Sequence, residues 1–140
     1  MKVLITGSTG LIGSALIPIL EVKGCEVIRL VRTETINSER EVLWNPESGK
    51  LNPAVFDNCD AVIHLAGENI AGSRWTNEQK SRIRMSRVNG TRLLGETLAL
   101  LDDPPKVFVS ASAIGYYGNR DDENLNEESG VGSGFLPEVC

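Results

Sequence analysis

Residues that bind metals or staple secreted chains are scarce here. There is one histidine, His64, and three cysteines, Cys25, Cys59 and Cys140, in 140 residues. The cysteines share no short motif, and their number is odd. That pattern gives neither a disulfide framework nor a metal site, and it predicts reduced thiols in a cytoplasmic or equivalently reducing compartment. Long apolar runs are also missing, since none approaches the ~20 residues of a membrane-spanning helix. The first apolar run is preceded by one lysine and interrupted by glycines, which predicts no signal peptide. Positive charge is not in excess: 14 Lys and Arg stand against 19 Asp and Glu, a net charge of -5. This opposes nucleic acid or an anionic membrane as partner. What remains, 41% apolar and 24% charged, belongs to a folded chain, and the length suits one domain over residues 1–140.

The chain alternates between two patterns. Lys2–Thr6, Glu26–Val31, Glu41–Trp44, Asp60–Leu65 and Lys106–Ser110 are short apolar or β-branched runs that predict strands. Leu11–Lys23 has helical spacing, with Leu11, Ala15 and Ile19 beside Leu16 and Leu20 on one broad apolar face. Pro18 predicts a kink or a lost hydrogen bond there, and Gly24 a left-handed cap. Thr76 with Gln79 forms a capping-box signature before a second helical pattern that runs to about Leu101, with a break expected near Gly90. Strands alternating with helices imply right-handed crossovers and a parallel sheet covered on both faces. The expectation is an α/β fold, a Rossmann-type doubly wound parallel sheet in the order 3-2-1-4-5. Its ligand would lie where the winding reverses, at the carboxyl ends of the first and fourth strands.

The motifs sit at those strand ends. In "TGSTGLIG" the turn comprises Gly7, Ser8, Thr9, Gly10, Leu11, Ile12 and Gly13. Gly7 permits a tight exit from the strand, Gly10 lets a pyrophosphate approach the backbone, and Gly13 lets the helix pack closely on the sheet. The helix start supplies free N–H groups, and Ser8 and Thr9 add hydroxyls. An ordinary glycine-rich turn is the competing reading, but a strand before and a helix after favour a dinucleotide. No carboxylate ends the second strand to bond a ribose 2′-hydroxyl. Arg32 stands there instead, and its planar fork suits a 2′-phosphate, so NADP(H) is the expected coenzyme. The alternative leaves Arg32 as a solvated strand end. At the end of the fourth strand Leu65, Ala66 and Gly67 are candidates to pack against the nucleotide. His64 reads as a buried, hydrogen-bonded imidazole rather than a catalyst.

In the long helix Lys80, Arg84 and Arg87 share a face. Lys80 and Arg82 read as solvated. Arg74 and Arg87 are placed to hold an anionic group, and Trp75 to anchor its loop. Ile83, Leu94, Leu98 and Leu101 are core candidates. "NRDDENLNEESGVGSG" carries five acids but no metal-ligand geometry, and reads as an exposed loop.

Four strings, "TGSTGLIG", "HLAGENI", "RWTNEQKSRIRMSRVNGTRLL" and "SASAIGYYG", together resemble the extended short-chain dehydrogenase/reductase superfamily. Within it they resemble the NAD-dependent epimerase/dehydratase-like branch of "epimerase family" proteins, some of which carry a SulA-like cell-division-inhibitor label. The resemblance runs nearly the whole length. It implies a Rossmann domain for NADP(H) followed by a smaller substrate region, in members about twice as long. The chain is then expected to be the N-terminal part, without the substrate-binding region. Its fifth strand would be a sheet edge that invites association, as in a homodimer. The resemblance also implies Ser, Tyr and Lys chemistry. Ser112 matches the serine, with Ser110 one register away. Tyr116 and Tyr117 match a structural Tyr-Gly, while Leu136 and Cys140 fall where the tyrosine and lysine belong, and Arg87 where an asparagine does. Ser112 and Tyr116 are therefore the catalytic candidates. Two functions follow. One is an oxidoreductase or epimerase acting on a hydroxyl- or carbonyl-bearing small molecule such as a nucleotide sugar. The other is a catalytically silent NADP(H)-binding regulator.

Overall fold

A computed structural model describes residues 1–33 and 39–140. The chain divides into two units, Met1–Ser110 and Ala111–Cys140.

The first unit holds strands β1 (Lys2–Thr6), β2 (Glu26–Val31), β3 (Glu41–Leu43), β4 (Ala61–His64) and β5 (Val107–Ser110). They form one parallel sheet in the order β3-β2-β1-β4-β5. Helix α1 (Leu11–Val22) joins β1 to β2, and α2 (Asn77–Ala99) joins β4 to β5. These connections step in opposite directions from the centre of the sheet, so right-handed crossovers place the two helices on opposite faces.

Register explains the core. Leu4 lies beside Ile28 and Val62, which share one face of the sheet. That face packs with Leu30, Trp44, Phe56 and, from α2, Leu94. Of the other core candidates, Ile83 is fully buried, and Leu98 and Leu101 pack at the margin of the cluster. The start of the central strand is tied down by polar groups. The Lys2 amide donates to Asp60 Oδ2 at 2.8 Å, and Lys2 Nζ donates to the carbonyls of Val55 and Asp57 at 3.0 and 2.8 Å. Cys59 is buried and donates to the Ala61 carbonyl, and burial pushes its thiol pKa up.

Three expectations need correction. First, the apolar residues of α1 do not form one buried face. Leu11 is 91% exposed and Ile19 is exposed as well, whereas Leu16, Ile17 and Leu20 are half-buried. The buried residue is Gly13, and Leu16, Ile17 and Leu20 follow it at i+3, i+4 and i+7, so its contact selects the inward stripe. The helix runs through Pro18, whose missing N–H withholds the usual donor from the carbonyl of the exposed Ser14. Second, β5 is not covered on both faces, because all four of its residues are exposed. Third, α2 continues past Gly90 without a break. A Cβ at Gly90 would lie 3.3 Å from His64 Cε1 and 3.5 Å from the Trp44 ring, so this glycine lets the helix approach the sheet.

Half of the capping box at α2 forms. Thr76 Oγ1 accepts from the Gln79 amide at 3.2 Å. The Gln79 side chain turns away and donates to the Asn69 carbonyl at 3.3 Å. Thr76→Ala is expected to lower stability by about 1 kcal/mol, measured by urea denaturation.

In the second unit a 3-10 turn, Ile114–Tyr117, precedes the short helix α3 (Phe135–Val139). The Gly132 amide donates to the Tyr116 carbonyl at 2.9 Å. A Cβ on Gly132 would fall 2.1 Å from the Tyr117 carbonyl oxygen, so the chain closes on itself only through a glycine. In the acidic stretch Arg120 pairs with both carboxylate oxygens of Glu123, at 2.7 and 3.0 Å. Among the described residues no helix is long and apolar enough to cross a membrane.

Candidate functional site

The site grows from the glycine turn. Gly7 has a positive φ of 70°, and a Cβ there would sit 2.7 Å from the carbonyl carbon and oxygen of Leu65. The exit of β1 thus lies backbone to backbone against the end of β4, a contact that only glycine allows. Gly10 follows as the N-cap of α1, its amide donating to the Gly7 carbonyl at 3.0 Å. A Cβ at Gly13 would lie 2.3 Å from that same carbonyl oxygen. Gly13 therefore seats the helix on the turn itself, not on the sheet as expected from the sequence.

The N-terminus of α1 is chemically bare. It has no side-chain cap and no acidic residue in its first turn. The first N–H groups of a helix have no partner within it, and with the helix dipole they favour an anion.

A cavity of about 660 Å³ opens at this point. Gly7, Ser8, Thr9 and Gly10 line one side, Leu65, Ala66 and Gly67 another, and Arg32 and Thr33 the exit of β2. Eight candidates from the sequence thus converge on one space. Leu11, Ile12 and Gly13 do not line it: the first two project their side chains into solvent, and only their backbone belongs to the helix start. Ser112 and Tyr116 belong to the second unit, where Ser112 is exposed and Tyr116 lies edge-on to Tyr117 with ring centroids 5.2 Å apart.

The sequence did not point to several other lining residues, among them Glu41, Trp44, Asn45, Met85 and Ser86. Glu41 Oε1 accepts an ion pair from Arg29 at 2.8 Å, so the carboxylate brings little net charge to the wall. Its other oxygen has no hydrogen-bond partner among the described residues. Trp44 was legible as an apolar residue at the end of β3, but not as a wall.

The rim beyond β4 is laced to α2. Ser86 Oγ accepts from the Glu68 amide at 2.9 Å, and Arg87 Nη1 donates to the carbonyls of Glu68 and Ile83, each at 3.1 Å. The Arg87 guanidinium carbon stands 3.0 Å from where a Gly67 Cβ would be. One end of the arginine expected to hold an anion is thus occupied with fixing the main chain. Arg74 is exposed. The Trp75 indole donates to the Ile70 carbonyl at 2.7 Å and anchors its loop, as expected.

A buried polar chain backs the cavity wall. Thr6 Oγ1 accepts from the amides of Leu65 and Ala66, both at 3.1 Å, and lies 2.7 Å from His64 Nδ1. With two amides donating to it, the hydroxyl gives its own proton to Nδ1, which places the ring proton on Nε2. Burial lowers the His64 pKa and keeps the ring neutral. His64 is the buried, hydrogen-bonded imidazole that the sequence suggested.

The arrangement fits a dinucleotide. A turn without Cβ atoms, a bare helix start and an exposed arginine beside the second strand border one cavity at the switch point of the sheet.

Comparison with known proteins agrees. The chain is 44% identical over 138 residues to an epimerase family protein of Mycobacterium bovis, a match covering 99% of this chain and 45% of the relative. It therefore spans less than half the length of that curated relative. The crystal structure of a nucleoside-diphosphate sugar epimerase from Corynebacterium glutamicum superposes with a TM-score of 0.83 at 41% identity, covering 100% of this chain and 28% of the other. A human epimerase family protein, solved with NADPH, gives a TM-score of 0.83 at 30% identity over 99% of this chain and 46% of its own. The profile of the NAD dependent epimerase/dehydratase family matches residues 3–134. On this evidence the chain belongs to the NAD dependent epimerase/dehydratase family.

Proposed function

We propose that the chain binds NADP(H) and serves an epimerase- or dehydratase-type oxidoreductase acting on a hydroxyl- or carbonyl-bearing small molecule of the nucleotide-sugar kind. The observation that carries the reading is the convergence of Gly7, Gly10 and Arg32 on one cavity at a bare helix N-terminus. The pyrophosphate rests on the N–H groups that open α1, where no Cβ of Gly7 or Gly10 obstructs it. Ser8 and Thr9 add hydroxyl donors to the same groups. Arg32 meets the 2′-phosphate with its guanidinium fork. Leu65, Ala66 and Gly67 form the opposing wall. The coenzyme supplies a hydride donor or acceptor when bound. Ser112 positions the substrate oxygen, and Tyr116 exchanges a proton with it. The description of one relative as a nucleoside-diphosphate sugar epimerase supports the substrate class, and that of another as solved with NADPH supports the coenzyme.

A second reading, a silent NADP(H)-binding regulator, draws support from Leu136 and Cys140, which stand where the superfamily places its tyrosine and lysine. The two readings part on turnover. NADPH binding followed by its oxidation with a carbonyl substrate supports the enzyme, and binding without turnover across a panel of nucleotide sugars and carbonyl compounds supports the regulator.

The coenzyme assignment has its own test. Arg32→Ala is expected to weaken NADPH by roughly ten- to a hundredfold and NADH by less than about threefold, read from coenzyme fluorescence. An equal loss for both, or none, overturns the assignment of the 2′-phosphate to this arginine.

A further inference from the structure

We propose that His64 is a positioning residue for the coenzyme: its unprotonated Nδ1 holds the Thr6 hydroxyl and thereby fixes the Leu65–Ala66 wall of the cavity. The inference rests on the coenzyme reading above and extends it to a side chain that touches no ligand.

The chain of contacts is short. Leu65 and Ala66 line the cavity, and their amides end on Thr6 Oγ1 at 3.1 Å. The Thr6 hydroxyl is fully buried, and its one proton reaches His64 Nδ1 at 2.7 Å. With that acceptor in place the hydroxyl oxygen has its lone pairs turned toward both amides. Without it the hydroxyl must turn to satisfy its own proton, and the Ala66 amide loses its partner, while the Leu65 amide falls back on the Thr6 main-chain carbonyl at 3.3 Å. The stretch concerned is the one that touches Gly7, whose Cβ position is 2.7 Å from Leu65. A displaced Leu65–Ala66 wall therefore also displaces the turn that holds the pyrophosphate.

Besides Thr6, two neighbours pack against the ring. Trp44 meets it edge-on with centroids 6.1 Å apart and planes at 88°. From α2, Gly90 comes close enough that a Cβ would lie 3.3 Å from Cε1. Thr6, Trp44 and Gly90 carry no charge and do not titrate. The cations flanking Gly90 along α2 are Arg87, one turn before it and engaged with the Glu68 and Ile83 carbonyls, and Arg92, two residues after it and exposed. Burial alone lowers the His64 pKa from its ordinary 6.5. The sign follows. The neutral ring is present above 6.5, and its loss on acidification removes the acceptor for Thr6. Coenzyme affinity is therefore full at neutral pH and falls as the pH drops through the lowered pKa of the folded chain.

The test measures NADPH dissociation constants between about pH 8 and pH 5 for the unaltered chain and three variants, with thermal melts of each without coenzyme. His64→Asn places an amide oxygen near the Nδ1 position and accepts at every pH. It is expected to bind within about twofold of the unaltered chain at pH 8 and to lose the affinity drop between neutral and acid pH. Titration of the coenzyme's own 2′-phosphate is common to both proteins and cancels in the comparison. His64→Phe has no acceptor, and His64→Gln carries its oxygen out toward the Nε2 position. Both are expected to bind roughly tenfold more weakly at pH 8. A purely structural role would instead lower the melting temperature of all three variants and leave their pH profiles parallel.

His64→Phe binding within twofold of the unaltered chain overturns the proposal, and so do identical pH profiles for the unaltered chain and His64→Asn. If His64→Phe fails to fold, the His64→Asn profile decides alone. Should the unaltered chain bind neither NADPH nor NADH at pH 8, the coenzyme reading falls and takes this inference with it. Binding that is indifferent to residue 64 overturns the inference alone.

Discussion

Gly13→Ala is expected to lower stability by about 2–3 kcal/mol, a drop of roughly 5–10 °C in Tm for a chain of this size. Two effects oppose each other. Alanine in a helix interior is favoured over glycine by about 1 kcal/mol, so propensity alone predicts a gain. Sterics predict a loss, because the added Cβ would lie 2.3 Å from the Gly7 carbonyl oxygen and 2.9 Å from Ser8 Cα. Both neighbours are backbone, and neither can swing aside as a side-chain end would. The turn is also fixed from its far side by the contact of Gly7 with Leu65. Relief must come from lifting α1 off the turn, which exposes the half-buried Leu16, Ile17 and Leu20. Denaturant and thermal melts read the result, and a variant as stable as the parent would mean that α1 does not seat on the turn.

Gly10→Val is expected to leave the fold nearly intact and to weaken NADPH by roughly a hundredfold or more. Gly10 has an ordinary φ of -75°, and a Cβ there meets only the Gly7 carbonyl oxygen, at 3.3 Å. The stability loss is held to about 1 kcal/mol, the cost of an aliphatic residue at an N-cap. The valine methyls instead occupy the cavity wall where the pyrophosphate would rest against bare backbone. Isothermal titration beside a melting curve separates the two effects. Undiminished affinity in a folded variant would remove the diphosphate from this turn. On the proposed coenzyme reading, two glycines three residues apart in one motif carry different burdens: the protein's own packing demands Gly13, and the pyrophosphate would demand Gly10.

Much of this was legible in the sequence because the signals are local. The five strands, the order of the sheet and the cap at Thr76 follow from short apolar runs, from connections of strand–helix–strand type and from a hydroxyl placed before a helical pattern. The inward side of α1 was not legible. Its apolar residues surround the axis, and only the three-dimensional contact at Gly13 distinguishes Leu16 and Leu20 from Leu11 and Ile19. The bare β5 was hidden too, since an apolar strand reads alike whether or not anything covers it. His64 was read as buried from its apolar neighbours. Its partner was not, because Thr6 is 58 residues away and no periodicity links the two. Arg87 shows the same limit: its place on a helix face was clear, and its bonds to the Glu68 and Ile83 carbonyls were not.

The separation of Thr6 from the strand it braces has a kinetic consequence. β1, α1 and β2 are neighbours along the chain and close a short loop, whereas the pairing of Val3 with Ala61 must wait for 58 more residues to be made and brought back. Loop-closure entropy orders these events, the near pairing first and the distant one later. Until β4 arrives, the Thr6 hydroxyl has neither amide nor imidazole to satisfy it, and the Gly7 turn has no opposing backbone. The nascent glycine loop is therefore complete in sequence long before it is complete as a receptor, and competence to hold a nucleotide arises late, with the docking of β4.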